Sequence, residues 1–127
     1  MFNRRLLISI AFTLLLPACA TSPDSQDKAR TLSAAQANTR LGIEYMRSGN
    51  LDKSRNRLEK AIKLAPDYAG AHEAIAVLYE QAGDVTLAEK HYRKSLSLDP
   101  DNGSARNNYG QFPVSYTHLR AHETKTR

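Results

Sequence analysis

The chain has 127 residues, one domain's worth, with 18 Lys plus Arg against 13 Asp plus Glu and a formal net charge of +5. That length argues against a multidomain enzyme. The charge excess sits at the two ends: residues 20–112 hold 13 basic and 12 acidic side chains, and Arg4, Arg5, Arg120, Lys125 and Arg127 supply the rest. The body is therefore nearly neutral, and nucleic-acid binding, which needs a basic stripe on a folded face, is not expected when much of the excess lies at the two ends. A lone cysteine excludes an intramolecular disulfide framework and any multi-cysteine zinc site. With no Trp, the apolar content is carried by Ala, Leu and Ile, which suits helices better than sheets.

Arg4 and Arg5 precede an apolar run, Leu6 to Leu16, with only Ser9 and Thr13 as polar members. Eleven helical residues rise about 16 Å, well short of the ~30 Å hydrocarbon core, so residues 1–18 read as a signal peptide rather than a spanning helix. The string Leu16-Pro17-Ala18-Cys19 resembles the bacterial lipobox. That resemblance implies that Cys19 is lipidated and becomes the mature N-terminus. Ala20 in place of Asp implies sorting to the outer membrane of a Gram-negative cell, on its periplasmic face. Residues 19–32 then form a lipidated tether, and its polar stretch from Ala20 to about Lys28, which contains Pro23, is expected to be flexible.

From residue 35 the chain repeats itself. Ala35/Ala69, Ala37/Ala71, Tyr45/Tyr79, Gly49/Gly83, Lys60/Lys94, Leu64/Leu98, Pro66/Pro100 and Asp67/Asp101 all stand thirty-four apart. Leu41/Ile75, Gly42/Ala76, Ser54/Ala88, Ala61/Ser95 and Ile62/Leu96 are conservative exchanges at the same interval. A period of this length marks a stacked helical array. Leu41 and Tyr45 lie on one helical face that Gly49 ends, and Leu51, Leu58, Ile62 and Leu64 make a second helix closed by Pro66. Ile75, Leu78 and Tyr79, then Val85, Ala88, Tyr92, Leu96 and Leu98, repeat the pair, closed by Pro100. Small residues at Gly42, Ala76, Ala61 and Ser95 would let the helices approach, with Leu58 and Tyr92 filling the space between.

This pattern resembles the tetratricopeptide repeat, an all-α solenoid of helical hairpins. The repeats fall at 35–68 and 69–102, with a partial third at 103–112, inside a domain spanning 33–112. The family's frequent fourth-position Trp is replaced by Asn38, His72 and Arg106. What the resemblance implies is a concave surface lined by the first helix of each hairpin. Its candidate partner-binding residues are Gln36, Thr39, Ile43, Met46 and Arg47, then Glu73, Val77, Glu80 and Gln81, and Asn107 and Gln111. Ile43, Met46 and Val77 would make an apolar strip edged by charge, suited to an extended peptide or an amphipathic helix; the other reading is that they pack between hairpins. Lys53, Arg55, Arg57, Lys60 and Lys63 outnumber Asp52 and Glu59 on an outward-facing helix, expected to be a solvated face, with anionic lipid as the sharper alternative.

No catalytic constellation is found, His72 and His91 stand isolated within helices as expected surface or half-buried residues, and the chain is read as a non-enzyme with no cofactor, metal or small-molecule substrate. His118 and His122 are four apart beside Glu123, but their order differs from the zinc-hydrolase string His-Glu-x-x-His. A metallohydrolase built on that pair is the reading from another functional class.

Asn107-Asn108-Tyr109-Gly110-Gln111-Phe112 and the stretch Leu41 to Arg47 resemble the type IV pilus biogenesis lipoproteins, the pilotins. That family joins a lipidated N-terminus to tandem tetratricopeptide repeats, and the resemblance implies an escort for the pilus secretin, promoting its outer-membrane targeting and multimer assembly. A different repeat lipoprotein serving envelope or peptidoglycan assembly is the alternative. Pro113 and Thr117 then depart from the repeat, so the last helix is expected to stop near Phe112, with residues 113–127 a non-repeat tail, disordered or foreign to the natural frame. With two whole hairpins and one unpaired helix, Leu96, Leu98 and Tyr109 are expected to lack part of their cover, leaving a marginal, aggregation-prone fragment.

Overall fold

A computed structural model describes residues 23–111, five helices with no strand among them. They are α1 (Pro23–Arg47), α2 (Leu51–Leu64), α3 (Ala69–Gln81), α4 (Val85–Leu98) and α5 (Gly103–Gln111). The signal peptide, Cys19, Pro113, His118, His122 and the tail lie outside the described residues.

The helices pair as two hairpins, α1 with α2 and α3 with α4, stacked through α2 and α3, and α5 begins a third unit against α4. Each hairpin turn is built alike. Gly49 (φ 77°) and Gly83 (φ 79°) take the left-handed conformation that side chains resist. The amides of Asn50 and Asp84 then donate five residues back to the Tyr45 and Tyr79 carbonyls, each at 2.8 Å, while Gly49 and Gly83 reach Met46 and Glu80 at 3.0 Å. These paired bonds end one helix. The same residues start the next, because Asn50 Oδ1 accepts from the Lys53 amide and Asp84 Oδ1 from the Leu87 amide.

The core follows the repeat. Leu58, Ala74, Ile75 and Leu78 form one buried cluster between the hairpins, and Ala76, Ala88 and Tyr92 form a second inside α3–α4. Ala35, Ala61 and Ala71 let α1, α2 and α3 meet closely at the other end. Leu58 and Tyr92 are fully buried at equivalent positions. Their facing residues differ accordingly: Gly42 leaves room for Leu58, and Ala76 packs in the Tyr92 cluster.

Two expectations need correction. The stretch expected to be a flexible tether is helical from Pro23 onward. Proline suits a first helical position, where its missing amide proton would have no partner anyway, and Asp24 adds negative charge to the opening turn. Leu96, Leu98 and Tyr109 are half-buried, in keeping with the expectation of partial cover. Tyr109 lies against Tyr92 with ring centroids 5.8 Å apart. Arg93 Nε donates to its hydroxyl at 3.3 Å, and the hydroxyl donates to Glu89 Oε1 at 3.5 Å. An Arg93–Glu89 ion pair at 2.8 Å closes the triangle. Finally, Arg55 does not belong to a solvated face: it lies between hairpins, its guanidinium 5.9 Å from the centre of the Tyr79 ring.

Candidate functional site

The first helices α1, α3 and α5 leave a hollow of about 470 Å³ between them. Its apolar floor is Ile43, Met46, Ala74 and Val77, and Arg40 and Arg47 stand on the α1 side. Tyr68 and Gly70 border it, as do Thr39, Glu73, Ser104 and Asn108. A Cβ on Gly70 would come within 2.8 Å of the Tyr68 ring, so the absence of a side chain there is what lets the ring lie where it does.

Thr39, Ile43, Met46, Arg47, Glu73 and Val77, all drawn from the sequence as groove candidates, come together here. Three of them are already engaged within the protein. Thr39 is 4% exposed and its hydroxyl donates to the Ala35 carbonyl at 2.9 Å. Glu73 accepts from Asn102 Nδ2 at 3.0 Å, from Asn108 Nδ2 at 3.3 Å and from the Ser104 hydroxyl. Its carboxylate is thus the tie that holds the third unit to the second. Arg47 pairs with Glu44 at 2.9 Å on the exposed rim, where such pairs contribute little.

Glu80 and Asn107 do not line the hollow. Glu80 lies on the other side of α3 and accepts from the buried Tyr92 hydroxyl at 2.8 Å. Burial, and then this bond to Glu80, push the Tyr92 phenol well above its ordinary range. Asn107 points to solvent, and the next residue, Asn108, a ~100° turn around the helix, faces α3 instead. Sequence reading missed Arg40, Ala74 and Asn108, which occupy one equivalent position at intervals of thirty-four, and Gly70 with Ser104, which share another. The repeat register itself carried that signal, because these positions fall on the same face as Ile43 and Val77 at helical spacing.

The two isolated histidines are brought together by the fold, away from the hollow. His72 Nδ1 is 3.1 Å from His91 Nδ1, and His72 Nε2 is 2.9 Å from the Pro66 carbonyl oxygen. A carbonyl only accepts, so Nε2 of His72 donates. Its Nδ1 in the neutral ring then accepts from Nδ1–H of His91. His91 also stacks on Tyr79, with centroids 5.7 Å apart. Burial first, then charge at His72 and Lys90, hold His91 down at about 4. Among the described residues no group of three or more His, Cys, Asp or Glu side chains is placed to hold a metal ion, and no helix is long and apolar enough to cross a membrane.

Two stacked hairpins presenting their first helices around an apolar-floored hollow define a helical-repeat docking scaffold. Residues 39–111 match the family described as Tetratricopeptide repeat, and the chain belongs to that family. It is similar to the type IV pilus assembly protein PilF of Pseudomonas aeruginosa, with 38% identity over 101 residues, 76% of this chain and 40% of that protein. A solved structure from a functional characterization of Pseudomonas aeruginosa PilF superposes with a TM-score of 0.65 at 33% identity, covering 72% of this chain and 41% of that one. An uncharacterized protein of Haemophilus influenzae is 28% identical over 86% of this chain and 60% of its own length. The chain thus spans about two fifths of PilF and three fifths of the Haemophilus protein.

Proposed function

We propose that this chain is a non-catalytic pilotin: a lipoprotein anchored through Cys19 to the periplasmic face of the outer membrane, which captures a segment of the pilus secretin and promotes its targeting and assembly. The observation that carries this reading is the hollow floored by Ile43, Met46, Ala74 and Val77, in a chain similar to PilF. Extended or helical segments bind such surfaces by seating apolar anchors and orienting them with flanking charge. Because Glu73 already accepts three hydrogen bonds from the third unit, the free rim charge belongs to Arg40, whose side chain makes no hydrogen bond or ion pair among the described residues. A secretin segment with apolar anchors and a carboxylate placed toward Arg40 is the ligand this hollow accommodates.

Co-purification with the secretin tests the reading. Met46→Glu places a charge on the apolar floor and is expected to weaken capture at least tenfold, and Arg40→Glu to weaken it several-fold, with the helical content of both variants unchanged. Cys19→Ala is expected to leave capture intact and move the protein off the membrane. Capture unaffected by Met46→Glu would refute the groove assignment.

A further inference from the structure

The two hairpins share a fold but not an environment. Ile75 is 1% exposed because the second hairpin is covered by the first, whereas its equivalent Leu41 is 46% exposed. Ala37 is exposed where Ala71 is buried. The outer edge of the first hairpin is thus an apolar face that a preceding repeat would bury and that no described residue covers here.

That edge carries cations beside its apolar residues. Tyr45 lies one helical turn beyond Leu41 on the same face of α1, and it borders a hollow of about 340 Å³ with Lys53, Asn56, Arg57 and Lys60 of α2. Lys53 Nζ stands 5.7 Å from the centre of the Tyr45 ring, and Arg57 reaches Asn38 Oδ1 at 3.5 Å. No carboxylate lines this hollow. Lys53, Arg57 and Lys60 follow one another at four and three residues, which sets them in a row along α2. In the second hairpin the same row reads Leu87, His91 and Lys94, with His91 turned inward onto His72 and Tyr79. The cationic row therefore belongs to the open edge and not to the repeat.

From this placement we infer that the α1–α2 edge is a docking surface for an anionic lipid bilayer. Leu41 and Tyr45 enter the headgroup region, and Lys53, Arg57 and Lys60 meet lipid phosphates. An exposed Leu, an amphipathic Tyr and a row of cations form the combination that binds bilayer surfaces, by joining apolar insertion to attraction for anionic headgroups. The charge pattern argues against a second copy seated symmetrically on this edge, since that would set each row of three cations against its twin. The inference does not depend on what the hollow between α1, α3 and α5 binds.

Partition of the full chain onto vesicles tests it, comparing equal parts phosphatidylglycerol and phosphatidylethanolamine with phosphatidylcholine alone. The N-terminal residues are common to all variants, so differences report the edge. At about fivefold per cation, Lys53→Gln/Arg57→Gln/Lys60→Gln is expected to lower partition onto the anionic vesicles at least tenfold after screening. Leu41→Gln, at an already exposed position, is expected to lower it several-fold. The charge-matched Lys28→Gln/Lys90→Gln/Lys94→Gln is expected to lower it far less. Equal partition of wild type and the edge triple, or equal losses in the two triples, would overturn the inference. So would self-association that the edge triple abolishes without any anionic-lipid preference, which would assign the edge to a second copy. If the wild type ignored anionic vesicles yet bound poly-glutamate in a triple-dependent way, the edge would serve an acidic protein and the inference would fall.

Discussion

His72 and His91, nineteen residues apart on α3 and α4, face each other nitrogen to nitrogen at 3.1 Å. Only one of the two Nδ1 atoms can carry the proton, and the Pro66 carbonyl bound to His72 Nε2 assigns it to His91.

This arrangement makes folding sensitive to acid. His91 is held at about 4 when folded, below its ordinary 6.5. The unfolded chain therefore binds the extra proton first, and stability falls as pH drops from about 6.5 toward 4. Below 4 this group adds no further loss. Because His91 is only half-buried, solvent screening reduces the effect to about 1 to 2 kcal/mol. Denaturant melts at pH 7.5 and 4.5 should show that loss in the wild type, and a clearly smaller one in His91→Gln.

Ser54 and Ser95 are fully buried, and neither hydroxyl has a hydrogen-bond partner among the described residues. The repeat supplies the remedy, since Ala88 and Ala61 stand at the equivalent positions and are equally buried. Ser54→Ala and Ser95→Ala should each stabilise by about 1 kcal/mol, because an unsatisfied buried hydroxyl costs more than its removal. Ala88→Ser should destabilise by a similar amount. Chemical denaturation of the three variants measures this, and a loss of stability in both alanine variants would contradict it.

Gly42 is set against the branch point of Leu58. A Cβ there would lie 2.6 Å from Leu58 Cγ and 2.7 Å from Cδ2, and Cγ is not a side-chain tip that can swing aside. Gly42→Ala should cost about 1 to 3 kcal/mol through overpacking, despite alanine's better helix propensity. If that variant melts at or above the wild-type temperature, α1 and α2 are not in close contact at this turn.

Glu73 ties α5 to α3 through Asn102, Ser104 and Asn108. Glu73→Ala removes three hydrogen bonds to a carboxylate while leaving the hairpin cores intact, so the loss should be local. Amide exchange in residues 103–111 should accelerate at least tenfold, with α3 and α4 little changed. Equal acceleration throughout the protein would mean that the third unit folds as one with the second.

The described residues hold two hairpins and a single further helix, short of the roughly three repeats that secure a continuous core. Thermal melting of residues 20–127 should therefore give a transition below ~65 °C. The Tyr92–Tyr109 contact and the Arg93–Tyr109–Glu89 cluster limit how much apolar surface the end exposes. Tyr109→Ala should lower the midpoint further and increase aggregation, and light scattering during the same melt reports both.

The helical hairpins were legible in the chain itself because their causes are local. The thirty-four-residue interval, the glycines at 49 and 83 and the prolines at 66 and 100 set where helices stop, and the Leu58/Tyr92 pair marks which face is buried. The surface was less legible. Pro23 broke an apparently unstructured stretch without signalling that it could begin a helix. Glu80 and Asn107 carried the right polarity for a groove, but one faces Tyr92 and the other faces solvent, because a ~100° step per residue separates neighbouring positions.

What sequence alone determined here is periodic: element boundaries, capping residues and the identity of the core, each written in spacing along one helix or one hairpin. What tertiary structure decided is which equivalent positions are covered. Leu41 and Ile75 obey the same pattern and differ in exposure because one hairpin has a neighbour on that side and the other has none among the described residues. His72 and His91 read as isolated residues and became a hydrogen-bonded pair, and Glu73 read as a groove charge and became a structural tie. Burial and pairing depend on contacts between elements, and the spacing of residues within one element does not specify them.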